Sequence, residues 1–176
     1  MNNLTCNYRC NQALCRLSEG DTTALTVIYD CMARQMFTLA LSILNNYADA
    51  EDAMQETFLK VIQSINTYRK NGNARAWLLS ITRNTAIDLM RKKKGSVCIE
   101  DISVVSKQSN RNDFADKLIL EEALLSLPQE DREIIALKIV SGLKFREISE
   151  LVGLPLATVQ KRYQRALKKL KTQLKD

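Results

Sequence analysis

Between Thr158 and Lys175 the chain carries seven basic side chains (Lys161, Arg162, Arg165, Lys168, Lys169, Lys171 and Lys175) and no acidic one. Thr158, Gln160 and Gln164 are interleaved with them. This is a chemistry for reading nucleic acid. A Gln amide can pair bidentately with adenine, Arg and Lys reach guanine, and a Thr near a helix start can bind a phosphate. Arg91-Lys92-Lys93-Lys94 is a second basic cluster, and two separated clusters suit two contacts with one polyanion. The plainer reading of the first cluster is a three-helix bundle with a solvated basic face.

Two other constellations stand out. Asn84, Asp88, Arg91 and Lys92 recur at i, i+4, i+7 and i+8, with Arg83 beside them, so they share one side of a helix. The preceding loop supplies Tyr68, Arg69, Lys70, Asn71 and Asn73, and an aromatic among polar and basic groups can stack on an unpaired base. An ordinary amphipathic helix with surface charges explains the same pattern. Upstream, Asp49, Glu51, Asp52 and Glu56 form an acidic face with Gln55, Leu59 and Gln63 nearby. Such a face can dock a basic partner helix, but acidic first turns also suit the helix dipole, and pattern alone favours that plainer reading.

Other chemistries find little footing. The 176 residues contain no histidine, which removes His-dependent triads, most catalytic zinc sites and the usual proton shuttle. No carboxylate pair, glycine-rich phosphate loop or activated nucleophile is evident, so neither an enzyme nor a cofactor is expected. Cys6, Cys10, Cys15 and Cys31 match no paired C-x-x-C spacing. They read as reduced thiols rather than as a metal site or a disulfide frame. No run approaches the ~18 consecutive apolar residues of a membrane span, and 1–10 lacks a signal-peptide core. The expectation is a cytoplasmic protein without membrane insertion.

Elements must position these groups. With five glycines and two prolines, the chain is expected to be all-α. The spacing predicts a helix over 21–44 capped by Asp21, with Ile28, Met32, Met36, Leu39 and Ile43 on one face. A second helix is expected over 49–65, with Met54, Phe58, Val61, Ile62 and Ile65 on its apolar face. A turn at Asn71-Gly72-Asn73 precedes a third helix over 74–93 that buries Trp77, Leu78, Ile81 and Leu89. The stretch 95–116 is polar and aperiodic and reads as a flexible linker. Helix returns over 114–127. Pro128 then opens a helix reaching 140, ended by Ser141-Gly142. The residues from Glu147 to Arg162 read as helix, tight turn, helix. Gly153 lies in the turn, Ser149 is small where helices cross, and Val159, Tyr163, Ala166, Leu167 and Leu170 are buried. The expected plan is two small helical domains, 1–94 and 117–176, joined by a flexible linker, the second a helix-turn-helix.

Three motifs in this order resemble the extracytoplasmic-function sigma factors, initiation subunits of bacterial RNA polymerase. Tyr47-Ala48-Asp49-Ala50-Glu51-Asp52-Ala53-Met54-Gln55-Glu56 looks like the family's second conserved region. Ala76-Trp77-Leu78 through Arg91-Lys92 resembles its promoter-melting segment. Leu127-Pro128-Gln129-Glu130-Asp131-Arg132 and the helix-turn-helix are similar to its C-terminal domain, although Leu156 and Ala157 depart from the usual polar residue and glycine. The resemblance implies that Asp49, Asp52, Gln55, Glu56 and Leu59 face core polymerase, which reverses the plainer reading of that helix. It implies that Asn71, Asn73, Arg83, Asn84, Asp88, Arg91 and Lys92 meet the minus-ten element, both as duplex and as melted strand. Thr158, Gln160, Lys161, Gln164 and Arg165 would address the minus-thirty-five element. It also implies an anti-sigma factor as a further partner. Two other functions fit parts of the chain. A free-standing helix-turn-helix regulator leaves the acidic helix unexplained, and a cysteine-based redox or metal sensor would work through Cys6, Cys10 and Cys15.

Overall fold

The computed structural model describes residues 3–70, 72–95, 124 and 126–173. Asn71 and nearly all of the predicted linker and of the helix expected over 114–127 lie outside the described residues. Helices and turns make up the rest, and no strand occurs among the described residues.

The first half is a four-helix bundle: α1 (Asn3–Ser18), α2 (Ala24–Leu44), α3 (Tyr47–Ser64) and α4 (Ala74–Gly95), with a short 3-10 turn at Ile65–Thr67. Helix α2 is the hub and packs against the other three. Ala24, Ile28, Met32, Met36, Leu39, Ala40 and Ile43 are all buried along it. By length and composition α2 could cross a membrane, but its apolar face is spent on this bundle. Helix α1 went unassigned in the sequence. Its buried side is Cys6, Cys10, Ala13, Leu14 and Leu17, a helical repeat in which two cysteines act as small apolar residues.

Capping differs from expectation at α2, and α3 starts at Tyr47 rather than at Asp49. Asp21 does not cap α2, which begins at Ala24. The Asp21 carboxylate instead accepts from the Thr23 N–H (3.0 Å) and pairs with Arg16 at 2.6 Å, shaping the turn before the helix. The Thr23 hydroxyl, which also donates to this carboxylate, and then Arg16 hold the Asp21 carboxyl below its ordinary range. Helix α2 ends at Asn45 in the left-handed conformation (φ 54°), and the Asn46 side chain accepts from the Asp49 N–H at 3.1 Å to start α3.

The second half holds α5 (Gln129–Ile135), which loosens into a π-helical turn at Ala136–Val140, then α6 (Phe145–Val152) and α7 (Leu156–Gln173). The Ser141 N–H donates to the Ala136 carbonyl (3.1 Å) and Gly142 turns the chain with φ 62°. Between α6 and α7, Gly153 adopts φ 71°, and the Ser149 hydroxyl donates to the Leu154 carbonyl at 2.6 Å. Ser149 therefore ties the turn together, a role beyond its small size.

The halves lie against each other. Helix α5 and the π turn pack on α2, and α6 touches α4. Ile134, Leu137, Leu143, Ile148 and Val159 join the same apolar core as α2 and α4, while Leu127, Ile135, Ala166 and Leu170 make a smaller cluster within the second half. Polar contacts line the seam. Arg132 Nε donates to the Ser42 carbonyl (3.1 Å), Arg75 donates to the Ser141 carbonyl, and Arg83 pairs with Glu133.

Candidate functional site

Three faces carry the residues singled out by sequence. The first is on α3. Asp52, Gln55 and Leu59 project to solvent at helical spacing, and Leu59 is 60% exposed. Ile62, one turn on, is also exposed, which corrects its assignment to the buried face. Met54 and Phe58 are half-buried, with Phe58 against the Tyr29 ring, while Val61 and Ile65 are buried as expected. Asp49 and Glu56 sit at the edges of this face and are paired, Asp49 with Lys93 of α4 and Glu56 with Lys60 at 3.1 Å. What remains open is an aliphatic strip beside a carboxylate and an amide, a shape suited to a partner helix with basic and apolar side chains.

The second face is on α4. Asn84, Asp88, Arg91 and Lys92 are exposed and run along one side of the helix. Lys60 reaches across from α3 to Asp88 (3.6 Å), linking this stripe to the acidic face. Two members point elsewhere. Arg83 turns to Glu133 of α5. The Asn73 carbonyl oxygen caps α4 by accepting from the Ala76 N–H (3.1 Å), while its amide donates to Glu147 of α6 at 2.6 Å. Tyr68, suggested by sequence as a base stacker, is turned inward. Its ring packs on Trp77 with centroids 5.1 Å apart, and its hydroxyl donates to Asn11. Burial, with smaller contributions from Cys15 and Cys10, pushes the phenol up to about 12.

The third face is the outer side of α7. Gln160, Lys161, Gln164, Arg165 and Lys168 are exposed, while Val159, Ala166 and Leu170 are buried and Tyr163 packs edge-on to Phe145 at 5.2 Å. Thr158 is half-buried in the first turn, its N–H donating to the Pro155 carbonyl at 2.9 Å. Arg165 reaches back to both carboxylate oxygens of Asp131, at 2.8 and 3.1 Å. Asp131 is 2% exposed, and Arg162 stands 3.8 Å away on its other flank. Arg162 and the acidic partners Asp131, Glu133 and Glu147 were given no site role from the sequence. The partners that give them these contacts lie 31 or more residues away, from Arg162–Asp131 to Asn73–Glu147, and no local spacing encodes them.

Glu133 is buried among these contacts. Burial raises its carboxyl above the ordinary range, and the hydrogen bond and charge of Arg83 offset that only in part. Burial likewise lowers Arg132, against the opposing charge of Glu130.

Among known families, the Sigma-70 region 2 model matches residues 28–96 and the Sigma-70 region 4 model matches 117–170. The sigma factor SigV of Bacillus subtilis (strain 168) is 34% identical over 141 residues, covering 80% of this chain and 85% of that protein. The sigma factor EcfG of Rhodopseudomonas palustris (strain TIE-1), of the extracytoplasmic-function type, is 31% identical over 134 residues, 74% of each chain. Among solved structures, the sigma factor RpoE of Bartonella quintana, in complex with the anti-sigma factor NepR, superposes with a TM-score of 0.66. It is 28% identical and covers 80% of this chain and 89% of that one. A free-standing regulator is not favoured, since it would account for the second matched region and leave the first without purpose. With both sigma regions present in order, the chain belongs to the extracytoplasmic-function sigma factors of bacterial RNA polymerase.

Proposed function

We propose that the three faces divide the work of initiation. Residues 1–94 would dock on core polymerase through Asp49, Asp52, Gln55, Glu56 and Leu59. They would engage the minus-ten element through Asn71, Asn73, Arg83, Asn84, Asp88, Arg91 and Lys92. Residues 117–176 would address the minus-thirty-five element through Thr158, Gln160, Lys161, Gln164 and Arg165, with 95–116 as the tether. Tethering raises the effective concentration of each half at its element, so neither need bind tightly alone. Strand separation would follow from preferential binding of a displaced base, a population shift that needs no ATP and no catalytic residue. The protein would act in the cytoplasm, where the polymerase is.

The observation that carries this reading is the coexistence, on one chain, of an exposed acidic-aliphatic strip on α3 and an exposed Gln/Lys/Arg row on α7. Because Arg83 and Asn73 are engaged with Glu133 and Glu147 across the seam, DNA would reach them only after the halves part. An anti-sigma factor is proposed as a further partner, in line with the complex in which RpoE was solved. The direct test is co-purification of Asp52→Arg with core polymerase. Loss of binding in a folded variant is expected, and normal binding would reject the α3 face. Tight sequence-specific binding to duplex DNA without polymerase would instead favour an independent regulator.

A further inference from the structure

Cys6, Cys10 and Cys31 meet in the bundle core between α1 and α2. Their sulfurs all lie within 4.8 Å of one another, and all three residues are buried. The Cys6 thiol also lies 3.4 Å from the Cys31 carbonyl and 3.8 Å from the Met32 thioether. The helical i, i+4 spacing of Cys6 and Cys10 places two sulfurs on one side of α1, and α2 supplies the other two. Spacing alone favours plain thiols over a metal site at these cysteines, because no C-x-x-C pair is present and Cys31 lies on a different helix.

We propose that Cys6, Cys10 and Cys31, with the Met32 thioether as a fourth sulfur, form a binding site for one Cu(I) ion. Three features favour this ion. The donors are all sulfur, with no histidine anywhere in the chain, and thiolate with thioether is the set that selects Cu(I). Zn(II) sites are instead closed by thiolate, imidazole or carboxylate, and a thioether is not among their ligands. Second, bonds of roughly 2.3 Å to sulfur put neighbouring donors about 4 Å apart, so the three cysteine sulfurs need shift only slightly to share one ion, with the Met32 sulfur 3.8 Å from that of Cys6. Third, loading makes the cluster anionic, and a buried cation stands beside it. Arg75 is 6% exposed, its backbone N–H donates to the Asn7 side chain of α1 at 3.2 Å, and its Nε has no hydrogen-bond partner.

Binding is a proton exchange. Each thiol that ligates releases its proton to water as the sulfur–copper bond forms, and no electron is transferred. Local opening of the α1–α2 contact would expose all four sulfurs together, so no permanent channel is required. Arg75 also donates to the Ser141 carbonyl of the second half, so the guanidinium that would balance the loaded site is one of the groups holding the seam.

The test is an anaerobic titration of the reduced full chain with Cu(I) against the chromogenic chelator bathocuproine disulfonate, with X-ray absorption on the loaded protein. One equivalent held against the chelator, in a sulfur-only shell, is expected. Cys10→Ala and Cys31→Ala should each weaken binding by roughly 100-fold and Met32→Leu by about tenfold, with Cys15→Ala unchanged. Loading should raise the melting temperature of the unsubstituted chain, because the unfolded chain cannot present the assembled site. Removal of all Cu(I) by the chelator would overturn the proposal. So would an equivalent retained in Cys10→Ala and Cys31→Ala variants with native circular dichroism, or preferential uptake of Zn(II) in a parallel titration. Should those variants fail to fold, a shell dominated by nitrogen or oxygen in the unsubstituted protein would overturn it alone.

Discussion

Arg83 of α4 donates through Nε to the carboxylate of Glu133 of α5, joining the two halves of the chain by an ion pair whose acid is 4% exposed and whose base is 20% exposed. Arg83 is proposed to meet promoter DNA, so the same guanidinium would serve a closed chain and, once released, a bound one. The pair is not simple stabilisation. Burial disfavours the charged carboxylate more than Arg83 favours it, and the carboxyl is raised above its ordinary 4.5.

The sign of the resulting pH dependence follows from linkage. A carboxyl with a raised folded pKa binds its proton more tightly in the folded state. Its contribution is fully present below about pH 4.5 and is lost as pH rises through the folded pKa. Glu133→Gln keeps an acceptor for Arg83 and removes the titration. The difference in melting temperature between the variant and the unsubstituted chain should shift in the variant's favour as pH rises from 4.5 towards neutrality. Parallel melting curves across that range would show that Glu133 does not titrate as its burial implies.

The α3 face separates binding from stability. Leu59 is exposed, so Leu59→Asp should change folding free energy by no more than about 0.5 kcal/mol, as surface substitutions usually do. It should nevertheless abolish retention of the chain on immobilised core polymerase. Chemical denaturation and a pull-down on the same preparation check both halves of this expectation.

On α7 the exposed row and the anchored arginine should behave differently. Gln164→Ala should weaken use of the upstream element by about 1–3 kcal/mol while leaving the melting temperature unchanged. Arg165→Ala should lose promoter use as well, but it also leaves Asp131, buried at 2%, with only the more distant Arg162. It should therefore lower stability by roughly 1–3 kcal/mol, the cost of a buried acceptor losing its partner. Run-off transcription paired with thermal melts distinguishes the two residues.

Gly153 tests the helix-turn-helix itself. At φ 71° a side chain is strained although nothing lies within 4 Å of where a Cβ would stand. Gly153→Ala should cost about 1 kcal/mol through backbone conformation alone. A stabilised variant would mean that the turn readily adopts another geometry.

These residues also mark what the sequence could reveal. The helical repeats of α2 to α4, the Pro128 start and the Gly153 turn were all legible, because each depends on neighbours within a few positions. Helix α1 carried the same signal, in Cys6, Cys10, Ala13, Leu14 and Leu17, and was missed because its cysteines were weighed as chemistry and not as apolar packing. The seam was not legible. Nothing near Arg83 or Asn73 identifies Glu133 or Glu147 as partners, and Tyr68 looks like an exposed stacker until Trp77 and Asn11 enclose it. The faces on α3 and α7 are legible from spacing, but the work proposed for them on polymerase and promoter rests on family membership.

The most direct measurement is reconstituted run-off transcription with core polymerase on promoter-bearing DNA, comparing the unsubstituted chain with Asp52→Arg and Gln164→Ala. A sigma factor built this way should give discrete transcripts only when core polymerase and this chain are both present, none with Asp52→Arg, and reduced yield with Gln164→Ala. A folded chain that leaves core polymerase without any discrete start, or an Asp52→Arg variant as active as its parent, would contradict it.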